Sequence, residues 1–167
     1  MRERFKLKIK YLSRFDRIRL TKPKRVIDAS IFLETIEEKQ PICAKYLGKA
    51  SYDYIAHVTI PIFGEIFLGI ARLPDDSLRE KAFKFILELV KEKRVDVIPI
   101  QKDRDKFIPE LLDCVSKIPI DDLTHISNII NAGFKEFVTI DQKINQDNIK
   151  QVLQERFELK IINPTRI

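Results

Sequence analysis

Short apolar runs recur along this chain, and each is followed by a stretch of helical character. Arg25-Val26-Ile27-Asp28, Ala56–Ile60, Val95–Ile100 and Phe137-Val138-Thr139-Ile140-Asp141 read as strands, with Leu159–Ile162 as a last edge strand. The intervening helices are predicted over Ile31 to about Lys39 with Ser30 as its cap, over about 42–50 after Pro41, and over about 61–73 opened by Pro61. A strongly amphipathic helix is predicted from an Asp75 or Asp76 cap to near Arg94, with Phe83, Ile86, Leu87 and Val90 on one face. Further helices are expected over about 103–116, from Asp121 to a Gly133 C-cap, and over about 146–156. Short apolar strands alternating with helices demand βαβ units and a parallel sheet covered on both faces. The expected fold class is therefore α/β, a three-layer α/β/α arrangement around a central, mainly parallel sheet. Ligands of such sheets bind beyond the carboxyl ends of the strands.

Composition bounds the rest. The 167 residues suit one domain, and 44% hydrophobic with 34% charged residues describes a globular chain. No uncharged apolar run approaches the roughly 18 residues of a membrane span, so no membrane partner is expected. The basic N-terminus is followed by no long apolar stretch, which argues against a secretory signal. Cys43 and Cys114 match no metal-binding spacing and are expected as two buried thiols in a reducing cytoplasm.

The net charge of +6 is unevenly spread. Residues 1–25 hold eleven Lys or Arg against Glu3 and Asp16, a balance of +9 that leaves −3 for the remainder. The chain divides on this ground into a basic extension, 1–24, and a folded domain, 25–167. Within the extension Lys6, Lys8 and Lys10 alternate with Phe5, Leu7, Ile9 and Tyr11, as in a half-buried strand. Two readings stay open: an arm whose lysines bind RNA phosphates, or an edge strand whose lysines deter aggregation.

Four acids stand where strands or helices present them. Asp28 and Asp141 end apolar strands, Glu65 sits inside Ile60-Pro61-Ile62-Phe63-Gly64-Glu65-Ile66-Phe67-Leu68, and Asp122 opens Asp122-Leu123-Thr124-His125-Ile126-Ser127. A carboxylate in apolar surroundings costs free energy unless it is paired, and a divalent cation is one such partner.

In order and setting these motifs resemble the PIN-domain ribonucleases. Val26-Ile27-Asp28-Ala29-Ser30, Thr59–Ile66, Asp122–Ser127 and Phe137–Asp141 carry the likeness over residues 25–163, and the Gly133 helix end just before Val138-Thr139-x-Asp141 looks especially like the VapC-type toxins of that family. The resemblance implies a PIN-like fold and cleavage of RNA with one or two Mg²⁺ or Mn²⁺ ions. By that analogy Asp28, Asp122 and Asp141 ligate or position the metal, and Glu65 binds through a water or completes a second site. Ser30 and Thr139 would orient carboxylates or touch the scissile phosphate. His125 is expected either beside the ligands or at the surface rather than as a ligand itself. Asp122 is preferred over the adjacent Asp121 because it lies three residues before His125. RNA would be the substrate, a small antitoxin a partner, and a homodimer the assembly; the face around Phe83–Val90 is either core or that dimer surface. The alternatives are a non-catalytic PIN-like module binding RNA or protein, and a structure-specific DNA nuclease.

Overall fold

The computed structural model describes residues 21–166. Five strands form one parallel sheet in the order β3-β2-β1-β4-β5: β1 Lys24–Ile27, β2 Ile55–Thr59, β3 Val95–Ile98, β4 Glu136–Val138 and β5 Lys160–Ile162. Seven helices connect them: α1 Ala29–Ile36, α2 Pro41–Gly48, α3 Ile60–Ala71, α4 Asp76–Lys91, α5 Ile108–Val115, α6 Ile120–Asn131 and α7 Asp147–Phe157. Among the described residues no helix is long and apolar enough to cross a membrane.

Strand order dictates the layering. From β1 the chain steps outward through β2 to β3, then returns across the sheet to β4 and continues to β5. Parallel crossovers are right-handed, so steps in opposite directions put their helices on opposite faces. α1–α4 accordingly pack together as one layer, and α5 packs against both α6 and α7 in the second. The α/β/α arrangement is as the alternation of strands and helices requires. The return also creates a switch point between β1 and β4, the place where ligands of open α/β sheets bind.

The central strands are buried on both faces. Val26 and Ile27 of β1, Ala56 and Val58 of β2, and Phe137 and Val138 of β4 are all at most 1% exposed. Burial of both faces excludes water from the ladder and explains why these strands read as apolar runs rather than alternating ones. Register pairs Val26 with His57 on one side and with Phe137 on the other.

Local chemistry sets the element ends. Thr59 caps α3 by accepting from the Ile62 amide, with Pro61 in the first turn. Asp75 caps α4, its Oδ1 taking the Leu78 amide at 2.7 Å. α6 closes as a Schellman motif: the Gly133 amide reaches Ile130 O, the Phe134 amide reaches Ile129 O, and Gly133 takes φ 79°. Only glycine adopts that left-handed turn without strain.

Several sequence expectations shift. Ser30 does not cap α1. The helix begins at Ala29 with Asp28 in the cap position, and Ser30 lies inside the first turn with its hydroxyl turned back to Asp28. The helix expected from 103 starts at Ile108, since Pro109 is tolerated only in a first turn. The α4 seam runs through Ala82, Ile86 and Leu89, while Phe83 and Leu87 stay 45% exposed. Cys43 is buried, but Cys114 is only half-buried, against Arg156. The expected domain boundary after residue 24 falls within β1, and the Ile55 amide already donates to Pro23 O. Lys6, Lys8 and Lys10 lie outside the described residues.

Candidate metal centre

The switch point is closed by a hydroxyl. Asp28 follows β1 and Thr139 follows β4, and Thr139 Oγ1 donates to Asp28 Oδ2 at 2.8 Å across the gap between the strands. Ser30 Oγ donates to the same Asp28 oxygen at 2.5 Å. Both side-chain bonds therefore fall on Oδ2, and Oδ1 takes none among the described residues. Thr139 Oγ1 also accepts the Asp141 amide at 3.0 Å, which ties the two loops to one buried oxygen.

Asp141 is fixed by its own turn. Its Oδ1 accepts the amides of Lys143 and Ile144 at 2.7 and 3.2 Å. Asn145 clamps the turn from below, donating to Thr139 O at 2.9 Å and Asp141 O at 2.8 Å. Such local caps are why Asp ends strands so often, and here they leave Asp141 Oδ2 uncommitted.

The other two acids come from helices. Asp122 lies in the first turn of α6, half-buried, and Glu65 lies midway along α3. His125, one turn beyond Asp122, reaches across to Glu65 with Nε2 to Oε1 at 2.8 Å. Asp121 is exposed on the outer side of the same turn.

Electrostatics tie these groups into one neighbourhood. Burial pushes the Asp28 carboxyl above its ordinary value, with Glu65 adding to the rise, against the hydrogen bonds from Ser30 and Thr139 and the pull of His125. Burial also raises Asp122, and the charges of Asp141, Asp28 and Glu65 push it further. Burial opposes a charge on His125, but its bond to Glu65 and the nearby charges of Asp28 and Asp122 outweigh that, and its pKa rises. Asp122 thus lies within electrostatic reach of the other three carboxylates.

The donor set is chemically suited to a hard dication: carboxylate oxygens with uncommitted lone pairs, two of them on acids reluctant to ionise alone. Among the described residues, however, no three His, Cys, Asp or Glu side chains are already gathered closely enough to hold an ion directly. Ser30 and Thr139 thus meet Asp28, and Thr139 ties in the Asp141 turn, while Asp122 and Glu65 are joined to them through the effect of charge rather than by a closed ligand shell. The Glu65–His125 pair was not foreseen; the Asp-x-x-His spacing was visible, but its partner sixty residues away was not. His57 lies within β2, edge-on to Phe134 and 3.7 Å from Asp96.

The sequence matches no protein-family model, and no curated protein resembles it in sequence. Solved structures do resemble the fold. A chain of VapBC2 from Rickettsia felis, in a complex bound to a promoter DNA fragment, matches with a TM-score of 0.61 at 14% identity, covering 84% of this chain and 98% of that one. FitAcB from Neisseria gonorrhoeae matches at 0.60 and 11% identity, over 86% and 99%. VapBC-5 from Mycobacterium tuberculosis, a member of the VapBC family of toxin-antitoxin systems, matches at 0.57 and 14%, over 84% and 98%. The fold is thus a PIN-like three-layer α/β/α domain. It is the fold of chains in VapBC toxin-antitoxin complexes, as the motif resemblance implied.

Proposed function

We propose that this chain is a divalent-metal-dependent endoribonuclease that cleaves RNA phosphodiester bonds, with Asp28, Asp122, Asp141 and Glu65 as its acidic site. The observation that carries this is the Asp28 carboxylate at the β1–β4 switch point, held through one oxygen by Ser30 and Thr139, with the Asp141 turn tied to the same Thr139 hydroxyl. Asp122, raised by burial and by the charges of Asp141, Asp28 and Glu65, supports it. Four carboxylates crowded at a sheet switch point are costly to keep charged, and a dication there converts that repulsion into binding. Mg²⁺ and Mn²⁺ suit an all-oxygen set, and Mg²⁺ usually keeps several waters and takes only one or two direct carboxylates. An open cluster fits such an ion better than a dehydrated cage. When bound, such an ion lowers the pKa of a coordinated water and neutralises charge on the phosphate.

The chain's own residues supply orientation. Thr139 and Ser30 hold Asp28 by Oδ2 and leave Oδ1 without a side-chain partner among the described residues. The Lys143 and Ile144 amides do the same for Asp141 through its Oδ1. Their rigidity lets the carboxylates keep one geometry while the substrate changes charge.

The likeness to VapBC complexes supports a small antitoxin as partner, docking near the acids. The exposed apolar residues Leu68 on α3 and Phe83 and Leu87 on α4 support a homodimer through that face. Absence of three pre-gathered ligands among the described residues is what favours the second reading, a non-catalytic module binding RNA or protein. The test is cleavage of a mixed-sequence RNA with Mg²⁺ or Mn²⁺, with a DNA oligonucleotide of the same sequence in competition. Asp28→Asn and Asp122→Asn should each remove activity, by about a hundredfold or more, while circular dichroism shows the fold intact. Cutting at the parent rate by both variants would reject the mechanism.

A further inference from the structure

The end of the sheet where the strands begin carries the opposite charge to the end where Asp28 and Asp141 stand. The segments that lead into four of the strands, residues 22–25, 49–54, 91–94 and 134–136, hold eight Lys or Arg against Asp53, Glu92 and Glu136. Residues 1–20 account for the whole net charge of +6, so the body from Thr21 onward is neutral overall. The excess of +5 at this end is therefore a local concentration, balanced by acids elsewhere. Lys24 and Asp28 are separated by the length of β1, about 13 Å at the rise of a parallel strand, so this face is distinct from the acidic site.

Hydrogen bonds lace three of these segments together. Lys22 Nζ donates to Ser51 O at 2.5 Å, Ser51 Oγ donates to Lys93 O at 3.3 Å, and Arg94 Nη2 donates to Gly48 O at 3.2 Å. The turn between α2 and β2 is thereby fixed between the entries to β1 and β3. At that turn Tyr52 is 74% exposed, while its amide and that of Asp53 both reach Lys49 O, at 3.0 and 2.9 Å. Some of the cations are already committed: Arg25 to Glu136 and Tyr46, Lys135 to Glu158, and Lys49 to Asp53 at 3.7 Å. Lys24 and Lys93 are exposed and make no ion pair among the described residues. Lys22 and Lys24 also line a cleft of 410 Å³ together with Phe134 and Lys135.

Lysines alone would suit any polyanion. An exposed aromatic ring on a backbone-held turn among them favours single-stranded nucleic acid, whose unpaired bases stack on such rings while the phosphates meet the cations. A duplex keeps its bases on one another, and neither a lipid headgroup nor an acidic peptide offers a base to stack. We infer that the strand-entry end of the sheet is an RNA-docking surface separate from the acids, on which Tyr52 stacks an unpaired base and Lys22, Lys24 and Lys93 neutralise neighbouring phosphates. It holds a stretch of RNA away from the cut. This rests on RNA as the ligand of the chain, but on neither the metal nor cleavage.

The test is fluorescence anisotropy of a labelled, unstructured oligouridylate with the full chain in EDTA, where no metal contributes. Tyr52→Ala should weaken binding by about tenfold, and Tyr52→Phe should keep the parent affinity. Binding of a fully paired RNA hairpin should be indifferent to both. Lys24→Glu with Lys93→Glu should lower the salt slope by about 1.4, at about 0.7 for each phosphate released. Lys81→Glu with Lys84→Glu, the same change in charge higher on α4, should leave the slope unchanged. Parent affinity for oligouridylate in Tyr52→Ala, or equal loss of slope in the two charge-reversed pairs, would overturn the docking surface and leave the nuclease reading in place. So would Tyr52-dependent binding of phosphatidylglycerol vesicles or polyglutamate with none of oligouridylate. Oligouridylate bound through Tyr52 by a chain that cuts no RNA with Mg²⁺ or Mn²⁺ would uphold the surface and sink the nuclease. No RNA binding by the parent chain, in EDTA or with Mn²⁺, would overturn both.

Discussion

Thr139→Val is the perturbation whose cost can be worked most fully from the geometry. The hydroxyl is completely buried, donates to Asp28 Oδ2 at 2.8 Å and accepts the Asp141 amide at 3.0 Å. Valine keeps the shape and removes both bonds. The bond to a carboxylate is worth about 1.5–3 kcal/mol, and leaving the Asp141 amide unpaired costs about 1–3 kcal/mol. The added methyl returns roughly 0.8 kcal/mol through burial. The two losses belong to one oxygen and overlap, so the net is about 3 kcal/mol. In a chain of this size that lowers Tm by about 6–12 °C. The same change releases Asp28 and the Asp141 loop from each other, so Mn²⁺ affinity should fall by about 10–100-fold. Thermal melts without metal and Mn²⁺ calorimetry read the two effects. Thr139→Ser keeps the hydroxyl and should lose only about 1 kcal/mol for the methyl. Valine within about 0.5 kcal/mol of the parent, or serine as damaging as valine, would refute the role given to this hydroxyl.

Two further outcomes follow from charge. Asp28 and Asp122 have folded values raised above 3.8, and His125 a folded value raised above 6.5. The folded chain therefore holds more protons than the unfolded one across those windows, and the stability this contributes is lost as pH rises through the folded values. The metal-free chain should be more stable near about pH 5 than near about pH 8, and Mg²⁺ should flatten the slope; denaturant melts that show stability constant or rising with pH in the absence of metal would contradict the crowding of these acids. Removing residues 1–20, which spares β1 and the Pro23 bond, takes away eight Lys or Arg including Lys6, Lys8 and Lys10. If the arm binds RNA, the salt slope of affinity should fall by about 0.7 for each phosphate it no longer neutralises, and an unchanged slope discards it.

The architecture was legible because it depends on local patterns. Runs such as Val26-Ile27 and Phe137-Val138 are apolar on both faces, and such strands belong only in a covered parallel sheet. Pro61, Asp75 and Gly133 each mark an element end by chemistry confined to a few residues. What escaped the sequence depends on position in the fold. Ser30 looked like a cap because serine often is one, but its hydroxyl has a nearer acceptor in Asp28 once the strand ends there. The spacing of Phe83, Ile86, Leu87 and Val90 left their face open as core or dimer surface, and only the packed fold shows that the buried seam of α4 runs through Ala82, Ile86 and Leu89 and leaves Phe83 and Leu87 exposed. The placing of the acids at element ends could be read along the chain. The bond between His125 and Glu65 could not, since nothing local specifies which face of α6 meets α3.

The central claim is that Asp28, Asp122 and Asp141 share a divalent cation at the β1–β4 switch point. Anomalous diffraction from a Mn²⁺-soaked crystal tests it directly. A manganese peak in contact with carboxylate oxygens of these three residues is the expected result. A well-ordered crystal at millimolar Mn²⁺ with no peak there, or with manganese bound only elsewhere on the surface, would contradict it.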